Sequence, residues 1–174
     1  HSLTSHALRC VRFYPTSIEC LLNGEEFNLL DSNCWLVDAK DARVFEASQR
    51  LLINRALDAA VFENTPLQVL DEGLPYDRCL VGVLTDMPDH TGLQDHDVQT
   101  PEQVRNVVRT QIDLVLPEGA AVLNAEDAAV VALADLCDGE VIYYAPDASN
   151  AVIQQHLQAH GRAVFTHHNE VILA

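Results

Sequence analysis

Short apolar runs that each end in polar residues constrain the fold of this chain most strongly. Three of them, Leu57 to Phe62, Cys79 to Leu84 and Ala120 to Leu123, have the length and composition of strands buried on both faces of a sheet. Segments with a helical spacing of apolar residues separate them from residue 41 onward. Strands that alternate with helices in this way predict a mainly parallel sheet joined by right-handed crossovers.

Local signals predict the remaining elements. Thr100 followed by Pro101 marks a helix start, and apolar residues from Val104 to Leu116 then lie on one helical face. Asn23-Gly24 predicts a β-hairpin, and Asn169-Glu170 predicts the turn of a closing one. The other predicted elements are a strand from Leu8 to Tyr14, hairpin arms from Ile18 to Leu22 and from Phe27 to Leu30, a strand from Glu140 to Ala145, and helices over 41–53, 66–71, 128–136 and 150–160.

Composition limits the number of domains and the class of partner. The chain has 174 residues, 48% of them hydrophobic, so we predict a single domain over residues 1–174 with one core. Its formal charge of -16 argues against nucleic acid and anionic membranes as partners, because both would repel it. Neither a membrane-spanning apolar run nor a signal-peptide pattern is present in the sequence, so we expect a soluble, cytoplasmic protein.

Polar side chains follow three of the predicted strands. Glu63 ends the first, Asp86 and His90 follow the second, and Asn124 and Asp127 follow the third. Carboxyl ends of parallel strands meet at one edge of a sheet, so these groups suit a divalent cation such as Mg²⁺ or Mn²⁺ together with a polar ligand. The alternative is that strand ends are polar because they meet solvent, and that Asp127 caps the helix that follows it.

Several catalytic motifs are absent from the sequence. The seven glycines are never closer than nine residues, so neither a G-x-x-x-x-G-K-[ST] nor a G-x-G-x-x-G loop is present. The single lysine, Lys40, lies in a polar turn, and no G-x-S-x-G motif occurs. We interpret His156, His160 and His167-His168 as solvated surface rather than as zinc ligands. No catalytic residue is therefore predicted.

Four segments carry a further pattern. They are "LLINRALDAAVFENTPLQVLDEGLPYDRCLVGVLTD" from Leu51 to Asp86, then "DHTGL", "TPEQVRNVVRTQIDLVLPEGAAVLNAED" and "RAVFTHHNEVILA". In this order and with nearly this spacing they resemble the central, Mur-ligase-like domain of cyanophycin synthetases, and A-V-L-N-A-[DE]-D is the most specific piece. The resemblance implies a three-layer αβα fold with a mainly parallel, Rossmann-like sheet, to which the predicted N- and C-terminal β-hairpins are added.

The resemblance also implies an activity. Such enzymes phosphorylate a carboxylate with ATP, and an amine then attacks the acyl phosphate to form an amide; in cyanophycin synthesis, arginine is added to the side chains of a polyaspartate backbone. Carried over to the matching positions, it implies that Glu63 and His90 are metal ligands and that Asn124 and Asp127 contact the nucleotide. The implied cofactors are ATP and Mg²⁺, which position and neutralise the phosphates.

The chain departs from the family pattern at three places. Thr65 to Leu70 replaces an Ala-Arg-Gly-Gly-Ile-Leu segment, Thr85 to Pro88 replaces a loop that contains Asn, and Val108 replaces a lysine that many Mur ligases carbamylate to bridge metals. We expect the chain to be the C-terminal part of such a central domain without its phosphate-binding P-loop, and to be inactive alone. Its expected partners are the P-loop segment and the C-terminal ligase lobe of a parent chain, or a second copy. A degenerate, non-catalytic scaffold or oligomerisation domain is the alternative.

Overall fold

The computed structural model describes residues 9–14, 17–22, 25–26, 45, 48–49, 52–53, 59–62 and 64–174. The chain divides into two compact units, His1–Pro75 and Tyr76–Ala174. Among the described residues, each unit contains its own β-sheet, of four strands in the first and five in the second.

The sheet of the first unit has the strand order β3-β2-β1-β4. Its strands are β1 (Arg9–Tyr14), β2 (Ser17–Leu22), β3 (Glu25–Glu26) and β4 (Ala59–Phe62). β1 pairs antiparallel with β2 and parallel with β4, while β2 pairs antiparallel with β3. Leu22 pairs with Glu25, which agrees with a hairpin around Asn23-Gly24. That turn and the predicted arm from Phe27 to Leu30 lie outside the described residues.

A short helix with a complete N-terminal cap follows β4. Helix α1 (Pro66–Asp71) begins and ends where the sequence predicted. The Thr65 hydroxyl accepts a hydrogen bond from the Gln68 N–H at 3.3 Å, and the Gln68 side chain accepts one from the Thr65 N–H at 2.9 Å. Farther upstream, residues 45, 48, 49 and 52 are helical, within the predicted helix over 41–53.

The sheet of the second unit has the order β5-β6-β7-β8-β9. β5 to β8 are parallel neighbours and β9 is antiparallel to β8, so the prediction of an α/β fold with a mainly parallel sheet is confirmed. The strands are β5 (Cys79–Leu84), β6 (Val115–Asn124), β7 (Glu140–Ala145), β8 (Arg162–His167) and β9 (Glu170–Leu173). The helices are α2 (Pro101–Val108), α3 (Thr110–Asp113), α4 (Ala128–Val131) and α5 (Ala151–Gln158).

One face of this second sheet holds most of its buried side chains. The strands follow one another in space in chain order, and right-handed crossovers between such neighbours carry the helices to the same side. Leu84, Leu123 and Tyr143 are buried on that side, whereas Val81 and Val83 on the other face are 56% and 51% exposed. The described residues of this unit therefore form two layers, and the three-layer arrangement remains a prediction.

The prediction that one helical face extends from Val104 to Leu116 was wrong at its C-terminal end. Helix α2 ends at Val108, α3 is a single turn, and Val115 already begins β6. Ile112 and Val115 are both buried, so the pattern identified core residues correctly while missing the change from helix to strand. Apolar spacing could not mark that change, because both elements face the same core.

Pro117 to Gly119, which precede the predicted strand from Ala120 to Leu123, are part of β6. Cys79 pairs with Val115 and Val81 with Ala120, so the register shifts where residues 116–119 bulge from the ladder. A side chain at Gly119 would overlap the Leu80 carbonyl, which explains the glycine.

Two other predicted boundaries moved slightly. The helix predicted over 128–136 is α4 followed by a separate 3-10 turn at Ala134–Leu136. The closing hairpin turns at His168 and Asn169, both with positive φ, one residue before the predicted Asn169-Glu170. In the described part of the chain, no helix has the length and apolar character required to cross a membrane.

Candidate functional site

The carboxyl ends of β5, β6 and β7 bring polar side chains together at one edge of the second sheet. Leu84 pairs with Leu123, and Asn124 pairs with Tyr144, so these three strands end at nearly the same level. Ligands bind at this edge in open α/β sheets. We call it the carboxyl edge and define it by five residues: Thr85, Asp86, Asn124, Asp127 and Tyr144.

Asn124 links the ends of β5 and β6. Its Nδ2 donates to the Thr85 carbonyl at 2.8 Å, and its Oδ1 accepts from the Glu126 N–H at 2.9 Å. The second bond is an Asx turn that leads toward α4. The Tyr144 hydroxyl donates a longer hydrogen bond, 3.5 Å, to the same Thr85 carbonyl. Side chains of β6 and β7 thus both bond to the Thr85 carbonyl.

Asp127 accepts three backbone hydrogen bonds. Its Oδ1 accepts from Ala129 at 2.8 Å and from Val130 at 3.3 Å, which confirms the helix-cap interpretation. Its Oδ2 accepts from the Met87 N–H at 2.8 Å. The bond from Met87 is the largest cause of a lowered Asp127 pKa, and the bonds from Ala129 and Val130 lower it further against the opposing effect of burial.

The loop after β5 carries the other predicted groups. The Thr85 hydroxyl donates to Asp86 Oδ1 at 2.6 Å. Asp89 Oδ1 accepts from the Thr91 N–H at 2.7 Å, and this bond lowers the pKa of Asp89. His90 is partly buried, and its carbonyl accepts from the Leu93 N–H at 3.1 Å. Local hydrogen bonds therefore shape both ends of this loop.

The predicted metal site lies only partly within the described structure. Glu63 lies outside the described residues. Within residues 64–174 and the shorter described ranges, no three His, Cys, Asp or Glu side chains cluster in a way that could hold a metal ion. The assignment of Glu63 and His90 as metal ligands stays a prediction.

The position of the lysine expected in a Mur ligase is apolar here. Val108 ends α2 and is 9% exposed. An ammonium group at this position would lose its hydration unless a buried partner paired with it. The Val108 side chain is therefore part of the core and not of the carboxyl edge.

Sequence reasoning missed Tyr144 at the carboxyl edge and Asn150, which bonds to the adjacent Ala125. Tyr144 lies within an apolar strand, and burial together with the nearby Asp86 charge raises the pKa of its hydroxyl. Asn150 caps α5 by accepting from Val152 and Ile153, and its Nδ2 donates to the Ala125 carbonyl at 3.4 Å. The N-cap signal before α5 could have identified Asn150. Nothing in the apolar run marked Tyr144.

Comparison with known proteins identifies a group of homologues. The chain is 36% identical over 132 residues to the cyanophycin synthetase of Synechocystis sp., 32% over 130 residues to that of Crocosphaera subtropica, and 29% over 130 residues to that of Nostoc sp.. These matches cover 75%, 74% and 74% of this chain but only 15%, 15% and 14% of the relatives. No protein-family profile matches the sequence. The resemblance predicted from the segments is confirmed, for a chain that spans about 15% of the length of these relatives.

Proposed function

We propose that this chain, a homologue of one part of cyanophycin synthetases, forms part of an ATP-dependent amide ligase of the Mur ligase superfamily. The parent protein would activate a carboxylate as an acyl phosphate, which an amine attacks to extend a polyaspartate or a related peptide. This chain would supply part of the central α/β domain, and its carboxyl edge would face the nucleotide. That edge is the observation that carries the proposal, because it combines polar groups from three adjacent strand ends.

The individual roles follow from the resemblance. In the parent protein, Asn124 and Asp127 would contact the nucleotide, while Glu63 and His90 would hold Mg²⁺. Asn124 and Asp127 already bond to backbone groups of this chain. A carboxylate has about four lone-pair sites, so Asp127 keeps some acceptor capacity for a ligand.

We propose that the chain alone does not hydrolyse ATP. Its sequence has no glycine-rich loop that ends in lysine, and such a loop neutralises the phosphates in P-loop enzymes. Val108 supplies no charge at the position of the expected lysine. Without these groups, electrostatic stabilisation of the transferred phosphoryl group is lost.

The experiment compares the isolated chain with the full-length protein encoded around it. With Mg²⁺-ATP, an acidic peptide and a set of amino acids, the full-length protein should release ADP and form an amide product detectable by mass spectrometry. Calorimetry on the isolated chain should detect no tight ATP binding. If the full-length protein forms no amide in the presence of ATP, the ligase assignment is rejected. If the isolated chain binds ATP with a micromolar dissociation constant, the proposal that it is inactive alone is rejected.

A non-catalytic scaffold or oligomerisation domain is the second candidate. One observation favours it, namely the outward apolar side chains of Val81 and Val83 on a sheet whose parallel strands are usually covered on both faces. Sedimentation equilibrium tests this role. A concentration-dependent dimer that Val83→Glu abolishes, while an exposed control substitution such as Glu102→Gln does not, would support it. A monomer at all concentrations would reject it.

A further inference from the structure

We infer that Asp127 is a positioning residue that fixes the loop from Thr85 to His90 against the start of α4. This inference rests on the proposed function, in which His90 acts near the carboxyl edge, and it adds a role for Asp127 besides contact with a nucleotide. The observation behind it is that one carboxylate bonds to two segments that are distant in the sequence.

Two side chains continue the pairing of β5 and β6 beyond the point where the backbone ladder ends. The last ladder pair is Leu84 with Leu123. Immediately after it, Asn124 bonds to the carbonyl of Thr85, and Asp127 bonds to the N–H of Met87. The loop is thus held at two backbone groups, one acceptor and one donor, by a single stretch of chain that leads from β6 into α4.

The bond to Met87 is not needed for capping. Oδ1 alone accepts from both Ala129 and Val130, so the helix start would be satisfied without Oδ2. Oδ2 instead reaches across 40 positions of sequence to Met87. Hydrogen bonds to a carboxylate are stronger than those between neutral groups, so this one is suited to fixing a loop.

His90 lies three residues after Met87, inside a local turn. Asp127 holds the Met87 N–H, Asp89 Oδ1 accepts from the Thr91 N–H, and the His90 carbonyl accepts from the N–H of buried Leu93. These bonds limit the freedom of the backbone that carries His90. Release of Met87 would loosen the stretch that carries Asp86, Asp89 and His90.

The substitution Asp127→Asn separates positioning from capping. Asparagine is a good N-cap but has one acceptor oxygen, and its amide nitrogen would face the Met87 N–H as a second donor. Two helix N–H groups compete with one loop N–H for that oxygen, so we expect the cap to persist. Asp127→Ala removes both functions. Asp147→Asn is the matched control, because Asp147 also accepts from a backbone N–H but only locally, from Ser149 at 2.7 Å.

Amide hydrogen exchange and NMR spectra of the histidine rings, recorded without nucleotide, test the inference. In Asp127→Asn, the Met87 amide should exchange about tenfold faster or more, the Ala129 and Val130 amides should stay protected, and the His90 ring signals should shift. Asp127→Ala should accelerate exchange at all three amides. Asp147→Asn should change neither Met87 nor His90.

Unchanged Met87 exchange or unchanged His90 signals in Asp127→Asn would overturn the positioning role and leave Asp127 as a helix cap. A residue that only caps α4 would affect Ala129 and Val130 but not His90. The measurement is separate from the ligase assay, so failure of amide formation in the full-length protein would reject the proposed function without changing this result.

Discussion

The carboxylate of Asp127 and the backbone N–H of Met87 lie 2.8 Å apart, although 40 positions separate the two residues in the sequence. The bond joins the segment after β5 to the segment after β6, where the two strands no longer pair through their backbones. Because the acceptor is ionised at neutral pH, the strength of this link depends on pH.

Acid should weaken the link between Asp127 and Met87. The folded-state pKa of Asp127 is lowered, so its contribution to stability is present above the unfolded-state pKa and is lost as the pH falls through the folded-state value. We expect wild type to be more stable than Asp127→Asn at neutral pH and the difference to shrink in acid. Urea unfolding of both proteins across this pH range measures it. A difference that stays constant into acid would contradict the prediction.

Gly119→Ala should destabilise the second unit by about 1–3 kcal/mol, because the added methyl group would overlap backbone atoms that cannot move aside easily. The overlap is with the carbonyl of Leu80, at the register shift between β5 and β6. Urea unfolding should show a lower midpoint. Glu118→Ala, at an exposed neighbouring position, is the control and should have a smaller effect. Equal stability of the two variants would contradict the overlap.

Gly161→Ala should displace the ring of His156. The added methyl group would occupy the space of the imidazole, whose Nε2–H donates to the Val141 carbonyl at 3.0 Å and whose ring packs edge-on against Tyr143. Loss of that hydrogen bond should cost about 0.5–1.5 kcal/mol. The test is a double-mutant cycle with His156→Ala, in which the cost of Gly161→Ala should fall when the ring is already absent. Additive effects of the two substitutions would show that the ring is not displaced.

Val108→Lys should destabilise the chain without creating ligase activity. The side chain of Val108 is buried, and removing an ammonium group from water there without a partner costs on the order of several kcal/mol. Asn106→Lys on the exposed side of the same helix is the control and should leave the unfolding midpoint nearly unchanged. Thermal unfolding of the two variants compares them. If Val108→Lys were as stable as the control, the position would have to admit water or a counter-ion.

Local sequence signals predicted the elements whose ends are marked by capping residues, glycine or a change from apolar to polar residues. α1 begins after a capping threonine and ends before a glycine, and β5 and β7 are short apolar runs between polar residues. The boundary between α3 and β6 was missed because burial continues through it, so hydrophobicity does not change where the backbone does.

The candidate site was predicted only in part, for a related reason. Asn124 and Asp127 stand out in sequence as polar groups after an apolar run, and the cap formed by Asp127 is a local interaction. The bond to Met87 depends on the register of two strands, which no short stretch of sequence encodes. Tyr144 was missed because its apolar ring fits the strand pattern while only its hydroxyl reaches the edge.

The spatial order of the five strands in the second unit also bears on how this unit folds. Each strand from β6 to β9 pairs with the strand that immediately precedes it in the chain. A growing polypeptide could therefore add one strand at a time to an existing edge, beginning at β5, without waiting for a later segment to fill a gap. Chains are synthesised and fold from the N-terminal side, so we expect these strands to join the sheet in the order of their synthesis.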